Sequence, residues 1–92
     1  MVSGTRVECQ RVARWMEVDL SWTAVPGATA YVLQRSVGGN SMPFTDCYRG
    51  TALRHQYAAP DAMHLIMTRY RVRAEMGGTE GPWSEPVRPT IE

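Results

Sequence analysis

The chain has 92 residues, of which 43% are hydrophobic and 21% are charged, so it can build one packed core but not two. Its formal net charge of +1 gives no general attraction to nucleic acid or to an anionic membrane. We therefore expect a single domain over residues 1–92, with its core at about 5–91, cut from a larger multidomain protein.

Targeting and membrane segments are not indicated by the sequence. Residues 1–7 contain no apolar h-region, and no apolar run approaches the roughly 20 residues of a membrane span. We therefore expect no signal peptide and no contact with a membrane, which favours an intracellular protein. An extracellular location stays open for a domain cut from a secreted or receptor protein.

Strands in the first half of the chain are indicated by alternation of polar and apolar residues between turn signals. Val7 and Cys9 suggest a first strand over about 5–11. A half-buried second strand ends at Trp22, and a third strand follows the turn at 24–27. The residues of these two strands that are expected to face the core are Val18, Leu20, Trp22, Tyr31 and Leu33.

The second half of the chain continues the same pattern. Four further strands are predicted over 44–48, 54–59, 69–76 and 82–91, with Tyr57, Tyr70 and Val72 facing inward. The stretch 62–68 lacks a period-two pattern and can form one helical turn. The glycine-rich run 77–81 predicts a hairpin connection. Seven short strands without room for crossover helices predict an all-β, antiparallel β-sandwich.

Several of these segments resemble landmarks of the fibronectin type III family. The core Trp22 follows Leu20 and Ser21, the turn 25–30 leads to Tyr31, Tyr70 matches the corner tyrosine of the sixth strand, and 81–87 matches the start of the last strand. The resemblance covers nearly the whole chain. It implies a seven-stranded immunoglobulin-like sandwich and a non-catalytic module that binds or spaces other proteins. The stretch 63–67 departs from the family pattern, so its local turn must differ.

An arginine ladder is the first candidate binding feature. Arg69, Arg71 and Arg73 lie on the outward side of the sixth strand, and Trp83 is placed to reach over them across the hairpin. Arg and Trp are enriched at binding hot spots, so this surface is a candidate docking face for an acidic segment of another protein.

The ladder's face is also expected to present Val32 and Gln34 from the neighbouring strand. The alternative to a docking face is a solvated strand face whose arginines are engaged by Glu75, Glu85 and Trp83. Trp15 shares the parity of the outward residues, and it is either a second binding anchor or a cover for the end of the sandwich.

Cysteine and histidine positions indicate neither a metal site nor catalysis. The resembled topology places Cys9 and Cys47 at far edges of opposing sheets, beyond the ~7 Å Cα limit for a disulfide. Two free thiols fit a reducing compartment. With His55 and His64 they show no short paired spacing of ligands. We therefore expect no metal, no cofactor and no enzymatic activity.

Carbohydrate binding is the second class of function that the sequence leaves open. It would use exposed aromatic rings, and the candidates are Trp15, Trp83 and Tyr48. Such a site needs a flat row of rings, of which the sequence shows no clear example. In either class the isolated domain is expected to be a monomer.

Overall fold

The computed structural model describes residues 9–14, 16–38, 43–88 and 90–91. Within this part of the chain the strands are β1 Cys9–Arg14, β2 Glu17–Trp22, β3 Ala30–Ser36, β4 Thr45–Gly50, β5 Arg54–Ala58, β6 Arg69–Met76, β7 Thr79–Glu80 and β8 Thr90–Ile91, and one short helix, α1 Ala62–Met67, precedes β6. Six strands have five to eight residues, whereas β7 and β8 have two each.

The strands form two four-stranded sheets, with the orders β5-β2-β1-β8 and β4-β3-β6-β7. The predicted all-β sandwich is therefore confirmed, although the described chain has six longer strands and two of two residues, and not the seven strands that were predicted. Every pairing is antiparallel except that of β8 with β1, which is parallel over two residues. This pairing departs from the wholly antiparallel arrangement that was predicted. It also makes β1 an inner strand of its sheet and not the edge strand expected for Cys9.

Alternating side chains of both sheets fill the space between them. The resulting hydrophobic core contains every residue that was expected there. Tyr57 is partly buried and packs against the fully or almost fully buried residues Val18, Leu20, Trp22, Tyr31, Leu33, Tyr70 and Val72. The Trp22 ring lies 6.2 Å from Tyr31 and 6.1 Å from Tyr48, centroid to centroid. Offset and tilted aromatic pairs at such distances add to the stabilisation from apolar burial.

Predicted strand ends agree with the structure to within a few residues, apart from the last strand and from the start of the first strand, which lies outside the described residues. β6 has the predicted bounds, and the stretch without alternation forms α1. The region predicted as one strand over 82–91 instead bonds to β6 only at isolated positions, among them Tyr70 with Val87, before it pairs with β1 as β8. Its prolines lack N–H groups, which prevents a continuous ladder.

Two tight turns border the strands of the ladder sheet: one links β2 of the opposite sheet to β3, and the other joins β6 to β7. Ala28 N–H donates to the Val25 carbonyl at 3.0 Å, and Gly27 has φ +85°, which is typical of a type II turn leading into β3. Between β6 and β7, Gly77 and Gly78 both have positive φ, +59° and +93°. The predicted five-residue connection is thus a two-residue turn of the kind that glycine pairs favour in hairpins.

Candidate protein-binding face

The ladder face is the outward surface of the β4-β3-β6-β7 sheet. It carries Arg69, Arg71 and Arg73 because alternate residues of β6 point away from the core, while Tyr70 and Val72 are fully buried on the other side. Cross-strand pairing sets the neighbours of each arginine on β3. Arg69 lies opposite Ser36, Arg71 opposite Gln34 and Arg73 opposite Val32.

Trp83 reaches the ladder as the sequence suggested, although it contacts two arginines and not three. Its ring centroid lies 4.2 Å from Cζ of Arg71 and 4.4 Å from Cζ of Arg73. A guanidinium over an indole ring is attracted by the ring quadrupole by about 0.5–2 kcal/mol, depending on desolvation. The two contacts therefore hold the middle and the last arginine of the ladder in defined positions.

The backbone around Trp83 explains why its ring stays beside β6. Gly81 N–H donates to the Ala74 carbonyl at 2.8 Å, and a Cβ on Gly81 would lie only 3.0 Å from that oxygen. Ser84 is bonded twice to Val72, since its N–H donates to the Val72 carbonyl at 2.8 Å and its hydroxyl accepts from the Val72 N–H at 3.0 Å. Close approach at Gly81 and the buried Ser84 fix the segment on both sides of Trp83.

Phe44 is a member of the stack that the sequence did not reveal. Its ring centroid lies 4.1 Å from Cζ of Arg71 and 5.2 Å from Cζ of Arg69. Arg71 is thus within 4.2 Å of both ring centroids and links the Phe44 ring to the Trp83 ring. Only tertiary structure brings Phe44, which precedes β4, to residues of β6 far along the chain.

Hydrogen bonds on the ladder face differ from one arginine to the next. Arg73 forms an ion pair with Glu80. Glu75 pairs with Arg49 of β4 and not with the ladder. Arg71 donates from Nε at 2.9 Å and from Nη2 at 2.7 Å to one oxygen, Oε1 of Gln34. Among the described residues, Arg71 therefore has a neutral amide as its hydrogen-bond acceptor and no carboxylate.

The electrostatic surroundings of Arg71 are positive. Burial, followed by the charges of Arg73 and Arg69, lowers the pKa of the Arg71 guanidinium from its ordinary value. An arginine nevertheless stays charged at physiological pH. Arg71 thus lies close to two other cations of the ladder, and no carboxylate of the described chain is paired with it.

Val32 and Tyr48 are less exposed than the sequence suggested. Val32 is only 2% exposed, because it is flanked by Arg49 on β4 and Arg73 on β6, and so it is not presented as expected. Tyr48 is half-buried against the core, with its ring 5.3 Å from that of His55. Trp15 lies outside the described residues.

These positions bear on carbohydrate binding. Tyr48 packs against Trp22 and His55, and its hydroxyl accepts a hydrogen bond from Ala52 N–H at 3.0 Å. Trp83 lies instead on the ladder face, where two guanidinium groups stack on its ring. Within the described residues, the candidate rings therefore form no flat row of the kind that stacks on sugars.

Metal ligands and thiols are the other groups that could supply site chemistry in this part of the chain. No group of three or more His, Cys, Asp or Glu side chains there could hold a metal ion. Cys47 is a free cysteine whose thiol donates to the Leu33 carbonyl at 3.4 Å, whereas the Cys9 side chain and that of His64 lie outside the described residues. No described helix is long and apolar enough to cross a membrane.

Comparison with known proteins defines the class of fold. No protein-family model matches the chain, and neither does any curated protein by sequence. Solved structures do match: a fibronectin type III-like protein from Clostridium thermocellum aligns with a TM-score of 0.75 and 20% identity, over 99% of this chain and 94% of that one. The sixth fibronectin type III domain of human fibronectin type III domain containing protein 3 gives 0.74 and 20%, over 98% and 91%.

A multidomain structure matches as well. Titin kinase with its flanking domains aligns with a TM-score of 0.71 and 20% identity, over 99% of this chain but only 17% of that chain. The chain is thus an immunoglobulin-like β-sandwich. Its particular fold is that of a fibronectin type III domain, as the resemblance in sequence implied.

Proposed function

We propose that this chain is a non-catalytic interaction module of a larger protein, and that its ladder face binds an acidic segment of a partner protein. The fold supports the module, since the same fold recurs within multidomain chains such as the titin kinase region. The observation that carries the binding role is the environment of Arg71. Its guanidinium lies against two aromatic rings, and the acceptor of its hydrogen bonds is a neutral amide.

Pre-organisation is the first reason why this arrangement suits binding. A free arginine side chain loses about 2 kcal/mol of rotamer entropy when it is fixed. Here Phe44, Trp83 and Gln34 already fix the guanidinium of Arg71 before any partner arrives. A carboxylate that docks on it therefore gains a charge-assisted hydrogen bond without that ordering penalty.

Charge balance is the second reason. The strands of this sheet place four arginines on the ladder face: Arg49, Arg69, Arg71 and Arg73. They place three carboxylates there, those of Asp46, Glu75 and Glu80. Glu75 and Glu80 are paired with Arg49 and Arg73, whereas Arg71 has the amide of Gln34 as its acceptor, which fits a partner that contributes a carboxylate there. A partner with a basic surface would be repelled.

A pure spacer is the competing role for the same fold. The ion pairs of Arg73 with Glu80 and of Arg49 with Glu75 are internal, and they favour a face that is stabilised for its own sake. The two roles differ in one measurable respect. A spacer needs no accessible charge at Arg71, whereas an interaction module loses its partner when that charge is reversed.

The test is binding of a fluorescein-labelled peptide of alternating glutamate and glycine, followed by fluorescence anisotropy at low salt. We expect Arg71→Glu to weaken binding at least about tenfold, equivalent to about 1.4 kcal/mol. The matched control is Arg54→Glu, which makes the same charge change at an exposed residue of β5 in the opposite sheet.

Two outcomes would contradict the proposal. Equal loss in both variants would show general charge attraction with no role for the ladder face. Unchanged binding in a folded Arg71→Glu variant would make the face scaffold and the domain a spacer. Circular dichroism of both variants supplies the required evidence of folding.

A further inference from the structure

Gln34 occupies the position on Arg71 that a carboxylate of a partner would be expected to take. Its Oε1 accepts both the Nε–H and an Nη2–H of Arg71, at 2.9 and 2.7 Å. Arginine binds carboxylates along this edge with the same pair of donors. The amide oxygen therefore stands where an anionic oxygen binds, but without the negative charge.

Two aromatic rings also lie against the Arg71 guanidinium. Phe44 and Trp83 cover its faces at 4.1 and 4.2 Å. A ligand oxygen that is to receive the Nε–H must consequently enter in the plane of the group, where Oε1 of Gln34 now lies. Displacement of this amide exchanges a neutral acceptor for a charged one, and charge-assisted hydrogen bonds are about twice as strong.

Asp46 is a second hydrogen-bond partner of the Gln34 amide, which the amide can keep when it leaves Arg71. Gln34 Nε2 donates to Oδ1 of Asp46 at 2.7 Å, and both residues lie opposite each other on β3 and β4. Asp46 is exposed, so the Gln34 side chain can follow it toward solvent and retain one hydrogen bond. The amide can therefore leave Arg71 without losing both of its partners.

We infer that Gln34 is a replaceable internal ligand of Arg71, and that binding occurs when a single glutamate or aspartate carboxylate of a partner peptide takes the place of its amide oxygen. The inference rests on the proposed binding role of the ladder face. A carboxylate fits better than a phosphate group, because Asp46 and Glu80 lie on the same face and would repel a dianion more strongly than a single negative charge.

Substitution of Gln34 by its charged near-isostere is the direct test. Gln34→Glu places a tethered carboxylate on Arg71, so the glutamate–glycine peptide should bind at least about tenfold more weakly. Circular dichroism establishes that this variant is folded, because the introduced carboxylate also loses the hydrogen bond that Gln34 Nε2 donates to Asp46. Thr79→Glu is the charge control, because it adds one negative charge at an exposed residue of β7 and should weaken the peptide less.

Removal of the internal ligand should act in the opposite direction. The double variant Gln34→Ala/Asp46→Ala deletes the amide and the carboxylate to which it is bonded, and Asp46→Ala alone is its charge-matched control. We expect the double variant to bind the peptide more than about twofold more tightly than Asp46→Ala does. Binding that is equal to or weaker than that of Asp46→Ala would show that Gln34 is not displaced, and would overturn the inference.

The outcomes separate this inference from the proposed function. If Arg71→Glu abolishes binding but Gln34→Glu does not, the face binds acidic peptides by another edge of Arg71, and only the inference fails. If Arg71→Glu has no effect, the proposed function itself fails. A peptide with phosphoserine in place of one glutamate should bind no more tightly, and clearly tighter binding would overturn the choice of a carboxylate.

Discussion

The hydroxyl of Tyr31 accepts a 2.8 Å hydrogen bond from the backbone N–H of Val25, six residues earlier, in the buried interior. This bond joins the start of the turn before β3 to the core that the turn encloses. Tyr31 thus fills the sandwich with its ring and satisfies a backbone donor that the turn would otherwise leave buried without a partner.

Tyr31→Phe should lower the free energy of unfolding by about 1–3 kcal/mol, because it leaves the buried Val25 N–H unsatisfied while the ring remains. Urea denaturation measures the change. Tyr48→Phe is the matched control, since its hydroxyl accepts from the exposed Ala52 N–H, which water can satisfy. Equal losses in the two variants would contradict the role given to the Val25 bond.

Trp22→Ala should lower the free energy of unfolding by roughly 3–5 kcal/mol, as truncation of a large buried side chain does. Trp22 is 4% exposed and packs against Tyr31 and Tyr48. The change is measured by chemical denaturation, with Trp83→Ala as the comparison, because Trp83 is only half-buried. An unchanged denaturation midpoint for Trp22→Ala would mean that the core is assigned to the wrong face of β2.

Acid should destabilise the domain through His55. Burial, with a smaller effect of the positive charge of Arg35, lowers the pKa of His55 below its usual value of 6.5. The unfolded chain therefore binds the proton at higher pH than the folded chain does, so stability is lost as pH falls below 6.5 toward the lowered folded pKa.

The measurement is the urea midpoint at about pH 7.5 and about pH 5.5 for the unchanged chain and for His55→Phe, which keeps a ring beside Tyr48. The variant should lose less stability between the two conditions. The same loss in both proteins would assign the acid sensitivity to other groups.

Cys47 should react slowly in the folded protein. Burial raises the pKa of its thiol, an effect that the charge of Arg35 only partly opposes. Since the thiolate is the reactive form, Ellman's reagent should modify Cys47 much more slowly before unfolding than after it. Unfolded, unreduced monomer should then give two thiols per chain. A count near zero would contradict the unpaired state predicted for Cys9 and Cys47.

Alternation along β2, β3 and β6 was sufficient to predict the fold and the inward residues, because the period of two assigns each residue to one face of its sheet. The outward position of Arg71 followed from the same rule. The placement of Gln34 on the same face was also expected, but the contacts of Phe44 and Gln34 with Arg71 were not predicted, since they depend on how β4 and β3 pack beside β6. Alternation predicts which face a residue occupies, and tertiary structure decides which neighbours it meets there.

The strand over 82–91 shows a second limit of pattern reasoning. Its prolines correctly indicated an edge, but the sequence carries no signal for the exchange of partner from β6 to β1. That exchange depends on the backbone bonds of Gly81, Ser84 and Val87 to β6. These bonds position Trp83 as well, so the candidate site depends on the part of the fold that was hardest to predict.

Chemical-shift mapping of the ¹⁵N-labelled domain with the glutamate–glycine peptide tests the docking face most directly. Docking on the ladder face should place the largest shifts on amides of β3, β4 and β6, on the Trp83 indole N–H and on the Arg71 Nε–H, and these shifts should disappear in Arg71→Glu. Shifts concentrated on β2 and β5 of the opposite sheet, or shifts that persist in Arg71→Glu, would contradict it.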